Sequence, residues 1–294
     1  MSTIFDSYLV VDWSAAKVPR RGKDSIWLHE LRPGCEHSSN PATREQAMAA
    51  LRERLLDNVA AGRRTLLGCD FAFGYPAGTA AKLGLAGTPW RALWDELAGL
   101  ITDAPDNHNN RFRVAAQLNQ RYSNSNYPFW GCFEADVSAH LDSRKQRPPG
   151  LALAEHRACE QAASGAQSVW KLAYTGSVGS QALMGIPRLH ALRFDPQLCQ
   201  HTRVWPFETG PVHPGQWAPA DWRVCIAEVY PSMIPIEAAA GKVHDQCQVE
   251  QLAQHFYQLD QAGLLAEHLA LARLPAGVDE QQVMEEGWIL GVGQ

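Results

Sequence analysis

The sequence has no long apolar run, no closely spaced cysteine pair and no excess of basic residues. No apolar stretch approaches the roughly 20 residues that a membrane-spanning helix needs, so we expect no membrane insertion. The first residues carry an acid and no basic segment, which is not the pattern of a secretory signal peptide. These absences predict a cytoplasmic protein.

The seven cysteines are scattered along the chain and are never spaced as Cys-x-x-Cys. An odd count without close pairs does not favour a disulfide framework. Cys69 and Cys225 lie within apolar runs, where a reduced cysteine behaves as a small hydrophobic residue. The cysteine pattern therefore also favours a reducing compartment.

The charge and composition narrow the classes of partner. The net charge of the 294-residue chain is −5, whereas a protein that binds duplex nucleic acid is usually more basic. This counts against strong non-specific DNA binding and is compatible with a local basic groove or a small phosphorylated substrate. Hydrophobic residues make up 46% of the chain and charged residues 19%, which is a globular composition.

Three apolar runs end in a carboxylate, at Asp12, Asp70 and Glu228, and each run has the composition of a buried strand. In open α/β sheets, ligands bind beyond the strand ends. Carboxylates gathered there repel one another unless a cation lies between them, and oxygen ligands suit Mg²⁺ or Mn²⁺. The repeated pattern favours a metal site; the competing interpretation is that each acid is a turn former or a helix cap.

The rest of the chain predicts helices around these strands. Thr43 to Gln46 has the sequence of a capping box, and Gly62 suits the end of that helix. Residues 77 to 200 mix helical stretches with polar loops, which predicts a large insertion or lid between core strands. We predict helices at 43–62, 80–102, 150–164, 244–261, 263–272 and 279–290, and further strands at 25–31 and 202–208.

Four motifs carry a family resemblance: V-V-D-W-S-A-A (10–16), L-G-C-D-F-A-F-G-Y-P (67–76), A-E-V-Y-P-S (227–232) and E-E-G-W-I-L-G (285–291). In this order they resemble the DUF429 family of predicted nucleases. The resemblance covers roughly 5–75 and 200–294. It implies an α/β fold with an RNase H-like mixed sheet flanked by helices. The chain would then be a single domain, 1–294, with a large, mainly helical insertion at 77–200.

The resemblance also implies a function, a metal-dependent phosphodiester hydrolase of the nuclease type that uses Mg²⁺ or Mn²⁺. Its substrate would be a nucleic acid or a small phosphorylated or nucleotide molecule. The fourth acid stays open, because Glu285, Asp245 and Asp279 are alternatives to the preferred Glu286. The implied catalytic and metal-binding residues are Asp12, Asp70, Glu228 and Glu286.

Several other residues are candidates for binding the substrate. A Gly/Ser loop that leads into a helix exposes backbone N–H groups to an anion, although a plain turn is the competing interpretation. Amides, arginines and aromatics are mixed at 107–113, which would suit phosphate and base contacts or a solvated helix. The candidates are Lys17, Arg111, Gly176, Ser177, Gly179, Ser180 and Tyr230.

Two other function classes remain open. A Mg-nucleotide-dependent phosphotransferase of the actin-like ATPase and sugar-kinase type would need a Gly-rich phosphate turn after the first strand, and Asp12-Trp13-Ser14 does not supply one. A non-catalytic binding module with structural acids is compatible with the negative charge. His156 and Cys159 on one helix are weak candidates for a zinc or Cys–His nucleophile site. The sequence predicts no oligomeric state.

Overall fold

The computed structural model describes residues 3–148, 150, 153–211, 222–271 and 273–293. Its strands form one six-stranded sheet in the order β3-β2-β1-β4-β6-β5. The predicted α/β fold, a mixed sheet flanked by helices, is confirmed. The strands are β1 (Ser7–Asp12), β2 (Trp27–Arg32), β3 (Cys35–Ser39), β4 (Thr65–Cys69), β5 (Thr202–Val204) and β6 (Val224–Glu228).

Parallel pairing brings the ends of three apolar strands to one edge of the sheet. β1 pairs with β4 and β4 with β6, and both pairings are parallel. The register places Val11 opposite Cys69, and Cys69 opposite Glu228. Because the carboxyl ends of parallel strands meet at the same edge, Asp12, Asp70 and Glu228 reach one region of the surface.

The central strands are buried on both faces, as the continuous apolar runs predict. Every residue of β4 and of β6 is buried. Gly68 allows the chain after β6 to approach β4, because a Cβ at this position would lie 2.8 Å from Cγ1 of Val229. The strand ends are therefore held by tight packing.

Helices cover the two faces of the sheet. Leu9 and Val11 belong to a buried cluster on one face, and Tyr8 and Val10 to a second cluster on the other, as the alternation of a strand requires. The helices are α1 (Arg44–Ala60), α2 (Thr79–Lys82), α3 (Pro89–Leu100), α4 (Arg111–Ser123), α5 (Ala158–Ala162), α6 (Val178–Arg193), α7 (His244–Gln261), α8 (Leu265–Leu269) and α9 (Glu280–Glu286).

Helices α2 to α6 all lie between β4 and β5 in the chain, and we call residues 71–201 the β4–β5 segment. The second cluster is formed with α7 to α9.

Several helix boundaries differ from prediction. The helix predicted at 80–102 is split into α2 and α3, because Gly84 (φ +72°) and Gly87 (φ +98°) adopt left-handed conformations. Of the helix predicted at 150–164, only Ala158–Ala162 is helical, and residues 151 and 152 lie outside the described residues. The helix predicted at 279–290 ends at Glu286, where Gly287 has φ +78°.

Other helix predictions are confirmed. The Oγ1 atom of Thr43 accepts a hydrogen bond from the N–H of Gln46 at 3.2 Å, as expected for the cap of α1. The predicted helix at 244–261 matches α7, which spans His244–Gln261. Among the described helices, none is long and apolar enough to cross a membrane.

All seven cysteines carry free thiols. Cys69 in β4 and Cys225 in β6 are buried, and burial raises the pKa of both thiols. Neither is therefore a thiolate nucleophile at neutral pH.

Candidate functional site

A cleft of about 660 Å³ opens where β1, β4 and β6 end, and we call it the strand-end cleft. The strand ends and α7 supply one set of lining residues, and the β4–β5 segment supplies a second set. The first set includes Asp12, Asp70, Glu228 and Asp245, and the second includes Arg111, Phe133, Tyr174, Gly176 and Ser177.

Asp12 and Asp70 form a pair at the strand ends, which we call the aspartate pair. Asp12 is the last residue of β1, and Asp70 follows β4 directly. Their carboxyl groups interact closely enough that each influences the pKa of the other. The backbone fixes this geometry, because Oδ1 of Asp70 accepts from the N–H of Trp13 at 2.7 Å and the N–H of Asp70 donates to the Val11 carbonyl at 3.2 Å.

Loss of hydration raises the pKa of both members of the aspartate pair. The pKa of Asp12 lies well above its ordinary value. Burial is the largest cause of this rise, and the charges of Asp70 and then Asp245 add to it. Burial raises the pKa of Asp70 to about 7, although hydrogen bonds from Trp13 and Asp12 oppose the rise. The pair therefore binds a proton more readily than ordinary carboxylates do.

The aspartate pair also lacks a counter-charge within the described part of the chain. Neither carboxyl group lies within ion-pair distance of a lysine, arginine or histidine side chain there. Buried charges in proteins are ordinarily paired or coordinated. The aspartate pair is thus a desolvated anionic site that the fold itself does not neutralise.

Asp245 is the third acid at this place. It lies in the first turn of α7, is 9% exposed and lines the strand-end cleft. Its Oδ2 atom accepts from the N–H of Asp24 at 2.6 Å, which fixes the side chain. Its charge raises the pKa of both Asp12 and Asp70. Of the four candidates for a fourth acid, Asp245 is the one that lines the cleft.

The structure does not bring the preferred fourth acid, Glu286, to the cleft. Its carboxylate is 2% exposed and accepts from the N–H groups of Ala77 at 2.8 Å and Ala158 at 2.7 Å. Glu285 and Asp279 also accept from backbone N–H groups. These three acids anchor α9 and neighbouring loops, because their oxygens satisfy backbone donors that would otherwise lack acceptors.

Glu228 lines the cleft, but it has a cation partner inside the fold. Nη1 and Nη2 of Arg157 donate to its two carboxylate oxygens at 2.8 and 2.5 Å. Nε of Arg157 donates to Glu160 at 2.8 Å, and the N–H of Phe73 donates to Glu228 at 2.9 Å. The exposed fractions of Arg157, Glu160 and Glu228 are 1, 4 and 3%. We call these three side chains the Arg157 triad; Glu228 is engaged by arginine, unlike the aspartate pair.

The start of α6 forms part of the cleft wall, but not every residue of the predicted anion loop lies there. Among the described residues, the N–H groups of Ser177 and Val178 have no acceptor, and the Ser177 side chain does not cap the helix. Gly179 is not part of this wall, because its N–H donates to the Lys171 carbonyl at 2.8 Å. Two backbone donors are therefore free at the helix start.

Arg111, the first residue of α4, lies in the same wall and is 6% exposed. Its Nε donates to Oγ of Ser180 and its Nη1 to Oδ1 of Asn109, both at 2.9 Å. No carboxylate pairs with it among the described residues, and its Nη2 makes no hydrogen bond there. Burial, followed by the charge of Arg44, lowers its pKa to about 10, so Arg111 is a buried cation at neutral pH.

The other two substrate-binding candidates differ in position. Tyr230 follows β6 and lines the cleft. The Lys17 ammonium lies 3.4 Å from Asp136 and 4.9 Å from the centre of the Phe112 ring, and Lys17 is not a lining residue of the cleft.

Two aromatic side chains in the cleft were not singled out by sequence reasoning. Phe133 is 45% exposed and Tyr174 is 59% exposed, and their ring centroids lie 5.8 Å apart. Exposed aromatic side chains are uncommon on a surface that binds nothing. They lie 41 positions apart along the chain, so no local pattern in the sequence marks them as neighbours.

Arg157 was also missed, because its neighbours suggested a different site. Cys159 is fully buried, and burial raises the pKa of its thiol well above the ordinary value. The geometry therefore does not provide a Cys–His nucleophile here. Within the described parts of the chain, no group of three or more His, Cys, Asp or Glu side chains is arranged to hold a metal by itself.

Comparison with known proteins identified no relative of this chain. No protein-family model, no curated protein and no solved structure matches the chain. The function is therefore argued from the geometry of the strand-end cleft, which holds a desolvated acid pair and a buried arginine that has no carboxylate partner among the described residues.

Proposed function

We propose that this chain is a metal-dependent phosphodiester hydrolase of the nuclease type, with Asp12 and Asp70 as its catalytic carboxylates. The observation that carries the proposal is the aspartate pair, which lies at the ends of parallel strands without a counter-charge among the described residues. The resemblance to the DUF429 family supports it, and so does a β1 flanked by antiparallel β2 and parallel β4, as expected for an RNase H-like sheet.

The donor chemistry of this pair fits Mg²⁺ or Mn²⁺. Mg²⁺ commonly uses one or two protein carboxylates and completes its octahedral shell with water and substrate phosphate oxygens. Two carboxylates are therefore enough, and a closed cage of protein ligands is not required. Asp245 adds negative charge next to the pair. Glu228 is a poorer ligand, because both of its oxygens accept from Arg157.

The protein's own groups would position the charge. The N–H of Trp13 holds one oxygen of Asp70 in place. Burial raises the pKa of Asp70 to about 7 in the metal-free protein, and a bound divalent cation would oppose this rise and keep the carboxylate ionised as a ligand. A bound divalent cation would supply positive charge for phosphate oxygens and lower the pKa of a water molecule.

The test begins with binding. Mn²⁺ and Mg²⁺ are titrated by calorimetry into the wild-type protein, Asp12→Asn and Asp70→Asn, with Asp195→Asn as the matched control. Asp195 pairs with Arg52 at 2.7 Å and does not line the cleft. We expect binding in the wild type and the control and its loss in the two pair variants. Equal binding in all four proteins contradicts the proposed site.

Turnover is then measured with bis(p-nitrophenyl) phosphate and with short single-stranded DNA and RNA. We expect either pair variant to lower turnover by about a thousandfold, since a catalytic metal site supplies several kcal/mol of transition-state stabilisation. Circular dichroism checks that the variants remain folded. Full activity in folded Asp12→Asn would refute the assignment.

A further inference from the structure

Arg111 is a buried cation for which the described part of the chain provides no carboxylate within ion-pair distance. Its hydrogen-bond acceptors there are a serine hydroxyl and an asparagine amide oxygen, and both are neutral. A buried charge costs free energy unless it is paired, and arginine is a preferred ligand of phosphate groups. Because Arg111 lines the strand-end cleft with its Nη2 free of hydrogen bonds to described residues, an anion bound there would supply the missing partner.

The start of α6 adds donors directly beside this arginine. Ser180, in the first turn of α6, accepts from Nε of Arg111 at 2.9 Å and so joins the two elements. The free N–H groups of Ser177 and Val178 belong to the same turn. A helix of this length also presents a partial positive charge at its start. The arginine and the helix start therefore make one positive surface within the cleft.

An aromatic surface lies in the same wall. Tyr174 comes three residues before Ser177, and its ring packs edge-on against Phe133 at an interplanar angle of 74°. The Tyr174 backbone has φ +68°, a conformation that is rare for a tyrosine and costs free energy. The exposed ring is thus held in the cleft by a strained backbone, where a planar ligand can stack on it.

We propose that Arg111, the start of α6 and the Phe133–Tyr174 pair form a binding subsite for a nucleotide unit. Arg111 and the N–H groups of Ser177 and Val178 bind a phosphate, and the Tyr174 ring stacks on the base. The inference rests on the proposed function in naming the substrate of that reaction. The binding itself needs no metal, because its donors all belong to the protein.

The experiment measures binding in EDTA, so that no metal at the aspartate pair takes part. Titrations use AMP, adenosine, inorganic phosphate and a six-nucleotide single-stranded DNA, followed by calorimetry or intrinsic tryptophan fluorescence. Arg111→Met is compared with Arg113→Met, an exposed arginine on the same helix. We expect Arg111→Met to weaken AMP binding at least tenfold, since it removes the charged hydrogen bonds to the phosphate, and Arg113→Met to have no effect.

Arg111→Met is suitable because methionine fills a similar volume, and replacing a buried unpaired charge with an apolar group is often tolerated. Should this variant unfold, Tyr174→Asn keeps the test open, because the side chain is 59% exposed and asparagine accepts a positive φ. Tyr174→Asn should weaken AMP binding about tenfold through lost stacking and leave inorganic phosphate unchanged.

The outcomes separate this inference from the proposed function. AMP binding that weakens in Arg111→Met and Tyr174→Asn supports the subsite. Absent AMP binding, or AMP binding that neither variant changes, overturns it even if metal binding and turnover depend on Asp70. Conversely, a supported subsite with no metal binding would contradict only the hydrolase. If AMP binds more tightly than the DNA, the ligand of the subsite is a free nucleotide. If the DNA binds more tightly, the ligand is a nucleotide within a single strand.

Discussion

The aspartate pair and the Arg157 triad both lie at the carboxyl end of the central parallel strands, yet burial has opposite consequences in them. In the triad, Arg157 donates to both Glu228 and Glu160, so each carboxylate has a cation partner within the fold. In the aspartate pair, Asp12 and Asp70 face each other, with Asp245 near them. Similar strand ends therefore produce a structural ion pair in one place and, in the other, an acid pair without a counter-charge among the described residues.

The pKa values express this difference. Burial would raise the pKa of Glu160, but the charge and hydrogen bonds of Arg157 outweigh it, and the pKa is lowered. For Asp70, burial prevails and the pKa rises to about 7. A carboxylate whose pKa stays low despite burial has its partner in the protein. A carboxylate whose pKa rises has no sufficient compensating charge in the protein, and a ligand can supply that charge.

The largest expected effect comes from removing the cation of the triad. Arg157→Met should destabilise the protein by about 3–5 kcal/mol, because Glu228 and Glu160 would remain buried without their partner. Urea unfolding at pH 7 measures the free energy of unfolding. The matched control is Arg52→Met: Arg52 pairs with Asp195, but its side chain is 41% exposed.

The Arg52 control should lose far less stability than Arg157→Met, as is usual for exposed ion pairs. Equal losses of stability in Arg157→Met and Arg52→Met would mean that burial does not change what an ion pair contributes to stability. They would also contradict the conclusion that Glu228 needs its arginine partner inside the fold.

Asp70→Asn should cause the next largest change in the free energy of unfolding, and this change should be a stabilisation. In the metal-free protein the substitution removes a half-buried charge that has no cation within ion-pair distance among the described residues, so we expect stabilisation of roughly 2–4 kcal/mol at pH 8. Asparagine still accepts from the N–H of Trp13, which keeps the backbone contact. Thermal unfolding in EDTA, compared between wild type and variant from pH 4 to pH 8, measures the difference.

The sign follows from linkage. The folded pKa of Asp70, about 7, lies above the ordinary value of 3.8, so the folded state binds the proton more tightly than the unfolded state. Stability from this group is fully present below the unfolded pKa and is lost as the pH rises through 7. The advantage of Asp70→Asn should therefore disappear towards pH 4. An advantage that is constant with pH would point to a change in packing.

Glu228→Gln makes the same chemical change in the triad and should destabilise the protein by about 1–3 kcal/mol. Glutamine retains the shape but loses the charge-assisted hydrogen bonds from Arg157. Arg157 remains paired with Glu160, so the loss is smaller than in Arg157→Met. Chemical unfolding measured beside Asp70→Asn gives a direct comparison, and stabilisation by both amides would remove the distinction between the two sites.

The same contrast shows what the sequence can and cannot predict. The strands that end at Asp12, Asp70 and Glu228 were predictable, because continuous apolar runs mark buried parallel strands. β3 was not predicted, since its residues, C-E-H-S-S, are polar and it lies at the sheet edge. Local propensity also did not show that Gly84 would interrupt a helix rather than be tolerated in it.

For the site, sequence reasoning identified which acids reach the strand ends but not which of them are neutralised. Arg157 lies 71 positions before Glu228, and the R-x-x-E pattern around it is common on ordinary surface helices. Glu286 was preferred to Asp245 from a motif, although the structure brings only Asp245 of these two to the cleft. Charge pairing across such separations is decided by tertiary packing, which no short-range pattern records.

The smallest predicted effect concerns Asp245, which influences the aspartate pair through space. Asp245→Asn removes a negative neighbour, so the pKa of Asp70 should fall from about 7 by about 0.5. The fall is modest because the charge of Asp245 raises this pKa less than burial does. Carboxyl ¹³C NMR titration of the metal-free protein measures it directly. Asp24→Asn is a useful comparison. The charge of Asp24 raises the pKa of Asp12, but it is not one of the main causes of the raised pKa of Asp70. An unchanged Asp70 pKa in Asp245→Asn would confine the electrostatic site to two acids, whereas the predicted fall would make Asp245 its third member.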